Sequence, residues 1–108
     1  MVSGVLARAF TTSGTLSLML FMVIESFKDG NPKRVGERFR QAGRMLPDGV
    51  TYHTSWMDVA GTRCFQVMEA AHPKLLEPWT GEWDDLVDFE IVPILTSSEF
   101  WSATPRAS

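Results

Sequence analysis

Cysteine, histidine and tyrosine are all scarce in this sequence, and so is excess positive charge. The only cysteine, Cys64, excludes an intrachain disulfide and a thiolate metal cluster, and suits a reducing compartment, read here as the cytoplasm. Two histidines, His53 and His72, leave little for a metal centre. They have no tight ligand spacing, so no metal site is expected. Ten Lys and Arg stand against thirteen Asp and Glu, a net charge of −3. A surface that tracks phosphates needs a basic field, so nucleic acid is not an expected partner. No Ser-His-Asp pattern, glycine-rich phosphate loop or zinc motif is present, and no cofactor is implied.

Long apolar runs are missing too. The densest, residues 16–24 (LSLMLFMVI), is too short to span a bilayer, so no membrane association is expected. Arg8 ahead of it gives a faint resemblance to a leader. However, Glu25-Ser26-Phe27 offers no small-residue cleavage site, and Lys28-Asp29-Gly30-Asn31-Pro32 reads as the turn after a strand. Residues 1–18 lack periodicity and are expected to be a loosely ordered extension. Residues 19–104 are expected to form the domain, with Met19 or Met22 near the start of the folded unit.

What is present is an ordinary globular composition, 44% hydrophobic and 21% charged, with four Trp and seven Phe to fill a core. The organising stretch is residues 50–70 (VTYHTSWMDVAGTRCFQVMEA), two amphipathic strands joined by a turn at Ala60-Gly61-Thr62. With Val59 opposite Arg63, Trp56 would face Gln66, Thr54 would face Met68 and Tyr52 would face Ala70. That register puts Tyr52, Thr54, Trp56, Cys64, Gln66 and Met68 on one face, and His53, Ser55, Met57, Phe65, Val67 and Glu69 on the other.

Residues 20–27 form the first strand, with Phe21, Val23, Glu25 and Phe27 on one side and Met22, Ile24 and Ser26 on the other. Asn31 can cap a helix that begins with Pro32 and carries Val35, Phe39 and Ala42 as its apolar stripe. Gly43 and Pro47-Asp48-Gly49 end it. A second helix opens at His72-Pro73 with Leu75, Leu76, Trp79 and Trp83 as its stripe, and Pro78 should kink it. Residues 87–96 are the fourth strand. Pro93 within it cannot donate to a ladder and places that strand at a sheet edge. A short helix at 97–103 and a frayed end are expected.

The order β-α-β-β-α-β predicts an α+β, ferredoxin-like fold: a four-stranded antiparallel sheet in order 4-1-3-2 with both helices on one face. The other face, rich in Trp and Met, would be bare. Such faces mark interfaces, so a homodimer is expected, two sheets forming a dimeric α/β barrel around a cavity. The segments MLFMVIESF, RMLPDGVTYHTSW, RCFQVMEA and DLVDFEIVPILT resemble a small bacterial family of unknown function within the dimeric α/β-barrel superfamily, over residues 19–97. The resemblance implies this fold and dimerisation but no chemistry. Superfamily relatives include cofactor-free monooxygenases, small isomerases and dehalogenase-like or stress-responsive binding proteins.

The face carrying Tyr52, Trp56, Gln66 and Met68 is the candidate site for a small organic ligand, an aromatic wall with a few polar groups; packing at a dimer interface is the competing reading. Glu25 and Glu90 lie on strands expected to be neighbours, and a carboxylate in an apolar enclosure becomes a candidate acid or base. His53, inside a strand, could serve as a base near neutrality. Cys64 reads as a buried thiol. Lys33, Arg34, Arg38, Arg40 and Arg44 crowd the first helix and could bind an anionic substrate or an acidic partner, with a solvated helix face as the competing reading. The acidic run Glu82, Asp84, Asp85 and Asp88 could instead answer them within the fold or across a dimer. Two functions follow: a small-molecule-binding dimer resembling a cofactor-independent monooxygenase or isomerase, and a non-catalytic structural or regulatory homodimer.

Overall fold

The computed structural model describes residues 18–103. The expected N-terminal extension lies outside them but for Leu18, as does the frayed end. Four antiparallel strands, β1 (Met19–Phe27), β2 (Thr51–Met57), β3 (Arg63–Ala70) and β4 (Val87–Ile94), form one open sheet in the order β2-β3-β1-β4. Three helices accompany them: α1 (Lys33–Ala42), α2 (Glu77–Trp83) and α3 (Ser97–Ala103). The arrangement is α+β and compatible with a ferredoxin-like fold. Among the described residues β4 pairs only with β1, so Pro93 sits on an edge as its missing N–H requires.

Strict alternation along β1 places Phe21, Val23, Glu25 and Phe27 inward, all buried. Opposite them on β3 stand Met68, Gln66 and Cys64, and on β4 Pro93, Ile91, Phe89 and Val87. The stripe predicted on the second helix closes over this face. Leu76, Trp79 and Trp83 are buried, and the Trp79 ring meets Phe89 edge-on at 5.3 Å. Pro78 does not kink that helix. The chain first makes a 3₁₀ turn over Pro73–Leu76, opened by the His72 Nδ1 atom accepting from the Lys74 amide (3.0 Å). The α-helix then starts afresh at Glu77, so Pro78 falls in a first turn, where its missing N–H costs nothing.

α1 begins as expected, with the Asn31 side chain accepting from the Lys33 amide (2.9 Å). It packs loosely, however. None of its residues is fully buried; Val35 touches the core and Phe39 stays 44% exposed. It is held by a latch. Arg38 makes paired 2.7 Å bonds to both Asp85 carboxylate oxygens, donates to the Glu82 carbonyl (2.8 Å) and lies over the Trp83 ring. The acidic run thus answers an arginine of α1 within the fold. α3 starts with a reciprocal capping pair, Thr96 amide to Glu99 carboxylate and Glu99 amide to Thr96 hydroxyl, both 3.0 Å.

The β2–β3 register differs from the expected one. The loop runs over residues 58–62. The Asp58 carboxylate accepts from the Thr62 and Arg63 amides and the Thr62 hydroxyl (2.8–3.0 Å), and Gly61 takes φ +76°. This loop aligns Met57 with Cys64, Trp56 with Phe65 and Ser55 with Gln66. An irregularity between Tyr52 and Thr54 then absorbs one residue, His53, and Tyr52 ends opposite Met68 rather than Ala70. Tyr52, Ser55 and Met57 therefore share the helix-covered face with Cys64, Gln66 and Met68. Thr54 and Trp56 join Phe65, Val67 and Glu69 on the open face. A one-residue slip exchanges faces, and here it moves Trp56 away from Gln66.

The loop generates a test. Neighbouring N–H and hydroxyl donors hold the Asp58 carboxyl down at about 2, from 3.8. Because its folded value is depressed, its contribution is present above pH 3.8 and is lost as pH falls towards 2. Asp58→Ala should lower the melting temperature at neutral pH, and the gap to the parent should close on acidification; a gap unchanged between pH 6 and pH 2 would contradict this role for the loop.

Candidate functional site

Where the loosely packed α1 crosses the sheet, a cavity of about 270 Å³ remains. Phe27, Val35, Phe39, Met57, Trp79 and Trp83 give it mostly apolar walls, and Glu25, Gln66, Arg44, Ser55 and Cys64 supply the polar atoms. It lies on the helix side of the sheet, not on the open face.

Its floor is a chain of three side chains. Glu25 occupies a position on β1 where alternation calls for an apolar residue, and it is 7% exposed. The Gln66 amide nitrogen donates to Glu25 Oε2, and the Gln66 carbonyl oxygen accepts from Arg44 Nε (3.3 Å). Bonded at both ends, the Gln66 amide has one satisfactory orientation. Arg44 arrives from the turn after α1, where Gly43 (φ +69°) and Met45 (φ +59°) both take left-handed backbone. Its carbonyl accepts from the Trp83 indole N–H (3.2 Å), and its guanidinium lies 3.5 Å from the centroid of the Tyr52 ring. Tyr52 in turn shares a 2.8 Å hydrogen bond with Ser55, three residues along a strand. Only the irregularity at His53 lets residues at that spacing share a face.

The electrostatics follow from burial. Loss of water raises the Glu25 carboxyl from 4.5 to about 7, against the opposing pull of the Gln66 hydrogen bond and the Arg44 charge. Both forms are therefore populated at neutral pH, as an acid–base catalyst requires. Oε2 accepts from Gln66, while Oε1 has no hydrogen-bond partner among the described residues. Burial and the neighbouring Glu25 push the Cys64 thiol up to about 11, so it stays neutral and is no nucleophile.

Of the residues singled out from sequence, Glu25, Gln66 and Tyr52 come together at this site, with Met68 on the same face and wholly buried in the core. Trp56 does not join them; it is 55% exposed on the open face. Glu90 is not near Glu25. Its partner across the ladder is Ile24, so it points from the opposite face. His53 bonds Glu69 through Nε2 (2.8 Å), away from the cavity. Among the described residues no group of three His, Cys, Asp or Glu is assembled that could hold a metal ion, and no helix is long and apolar enough to cross a membrane. The sequence groups Arg44 with the other basic residues of the first helix as a candidate anion binder and does not join it to Glu25 and Gln66. The signal that sets it apart is its place after Gly43, beyond the helix.

The model of one protein family, a domain of unknown function designated DUF3303, matches residues 19–108. The chain belongs to the DUF3303 family. No curated protein and no solved structure matches the chain significantly. The DUF3303 match thus covers the whole sheet, both cavity-lining helices and every residue of the Glu25–Gln66–Arg44 chain, without attaching a reaction to them.

Because the folded Glu25 carboxyl titrates above its unfolded value, the folded protein binds more protons than the unfolded one between pH 4.5 and about 7. Stability should therefore fall as pH rises through that window, by at most about 3 kcal/mol. In Glu25→Gln, which keeps the acceptor for Gln66, urea titrations across this range should show the slope removed. Parallel profiles for parent and variant would show that Glu25 does not carry the shift.

Proposed function

We propose that this DUF3303 protein binds a small organic molecule in the helix-side cavity and uses Glu25 as a general acid–base, in the manner of a cofactor-independent isomerase. The observation that carries the reading is the free Oε1 of a buried carboxyl that titrates near neutrality, in a mostly apolar enclosure. Gln66 holds the other oxygen and so fixes the plane of the carboxyl group. The neutral carboxyl can polarise a carbonyl, and the carboxylate can take a proton from an adjacent carbon and return it elsewhere. A cavity of about 270 Å³ suits a one- or two-ring compound rather than a large ligand. Monooxygenase-like chemistry, the other enzyme class that the family resemblance suggested, would need oxygen activation to which nothing in this residue set speaks. Proton transfer is therefore the reading preferred.

We also assign the open face to a homodimer. Neither α1 nor α2 covers it, and Met22, Ile24, Phe65, Val67, Trp56 and Val92 line it half-buried or exposed. Two such faces packed about a two-fold axis would give the dimeric α/β barrel of the superfamily. In this arrangement the barrel interior is the interface, and the ligand cavity lies outside it, one per protomer.

Two measurements test these statements. With 2-tetralone in D₂O, the protein should speed deuterium exchange at the α-carbon, and Glu25→Gln should reduce that rate by about 10²-fold. Exchange undiminished in Glu25→Gln would remove Glu25 from the chemistry, and a protein that neither binds nor exchanges such compounds would be the non-catalytic homodimer instead. In light scattering the parent should run at twice the 12.1 kDa chain mass, and Ile24→Lys, on the open face, should shift it towards monomer while its far-UV spectrum is kept. A parent monomer would defeat the dimer assignment.

A further inference from the structure

The donors at the cavity outnumber the acceptors left to meet them. Arg44 spends Nε on Gln66, and its two terminal nitrogens carry no hydrogen bond among the described residues. Arginine stays protonated at any physiological pH. Its guanidinium is spread over the Tyr52 ring rather than paired with a carboxylate among the described residues, and the Gln66 amide links it to Glu25. On the acceptor side, the Gln66 carbonyl is taken by Arg44, one of the Ser55 and Tyr52 hydroxyls donates to the other, and Glu25 Oε1 is left as the carboxyl oxygen without a partner among the described residues. A cavity built this way sets unspent N–H groups on a positively charged side chain among the aromatic rings of Phe39 and Trp83.

We infer that the cavity's ligand is a small aromatic carboxylate, its ring against Phe39, Trp79 and Trp83 and its carboxylate received between Arg44 and Glu25 on either side of the Gln66 amide. The inference rests on the reading of this cavity as a ligand site and adds the chemical class of the ligand. A carboxylate matches the set better than a neutral carbonyl. It gives the terminal nitrogens of Arg44 an anionic acceptor, and charge-assisted bonds are the stronger ones. It also accepts a proton-bearing Glu25 Oε1 as a second donor. An amine would meet Arg44 with like charge.

The groups facing Glu25 bear this out. β3 contributes Cys64 and Gln66, β4 contributes Phe89, the turn after α1 contributes Arg44, and the lining residues of α1 and α2 are uncharged. Arg44 and Glu25 are the only members of the set that carry charge near neutrality. Protonation of Glu25 leaves the cavity with a net positive charge, and its ionisation cancels it. Affinity for an anion is therefore linked to the proton on Glu25 and should decline as pH rises through its titration near 7.

The test compares 2-naphthoate with 2-naphthamide, nearly the same shape and differing in charge, by isothermal titration calorimetry on the full chain. At pH 6 the acid should bind at least tenfold more tightly than the amide. Between pH 6 and pH 8 its affinity should drop about tenfold, the amide's staying constant. Arg44→Gln should bring acid and amide within about twofold of each other, and Glu25→Gln should abolish the pH dependence while keeping the preference for the acid. Circular dichroism checks that both variants fold, and the parent's acid-to-amide ratio decides the matter without them. Equal binding of acid and amide by the parent would overturn the carboxylate assignment and leave the ligand cavity standing. Binding of neither would overturn both.

Discussion

A carboxyl group stands where the alternation of β1 demands a hydrophobe, and much of the molecule answers that substitution. Burying Glu25 removes its water, which a charged carboxylate does not tolerate without partners. The structure supplies only partial compensation: one hydrogen bond from Gln66 and, beyond it, the positive charge of Arg44. The result is a group balanced between its two forms. Full compensation by a direct ion pair with Arg44 would have fixed Glu25 as a structural anion. An unrelieved burial would have fixed it as an inert acid. The intervening glutamine amide is what keeps it between the two.

The second constraint is steric. α2 packs its tryptophans tightly into the core, whereas α1 spans the same face with only Val35 reaching the core and is tied down at its far side by Arg38 and Asp85. One helix seals the sheet and the other roofs a space. The Arg38 latch explains how a helix with so little buried surface keeps its place. It lies at the end of α2, so it holds the roof without filling the room beneath it. Stability and vacancy are therefore assigned to different helices of one layer, and the polar chain from Glu25 to Arg44 opens into that vacancy.

Much of this was legible in the linear sequence because it follows from short-range rules. Alternation put Phe21, Val23, Glu25 and Phe27 on one face, and they are buried together. The spacing of Leu76, Trp79 and Trp83 identified the buried stripe of the second helix, and Pro93 marked the edge strand. The position of Pro78 was read as a kink because periodicity alone does not show a 3₁₀ turn giving way to an α-helix at Glu77. Half of the candidate site was found for the same reason. Glu25, Gln66 and Tyr52 were named, but Trp56 and Glu90 were grouped with them by registers and faces that the fold does not use.

By itself the sequence determined the order of elements, the strand at the edge, the inward face of β1 and the buried tryptophans of the second helix. These depend on periodicities of two and 3.6 residues and on what proline cannot do. Only the tertiary structure decided which side chains meet. A five-residue loop closed by Asp58 shifted residues 54–57 of β2 by one place, and the displaced residue at His53 shifted Tyr52 by one more. One place in a strand exchanges its faces, so Ser55 rather than Trp56 came to lie beside Gln66. Likewise no local pattern joins Arg44 to Gln66 and Glu25. They meet because the turn after α1 and two neighbouring strands converge in space.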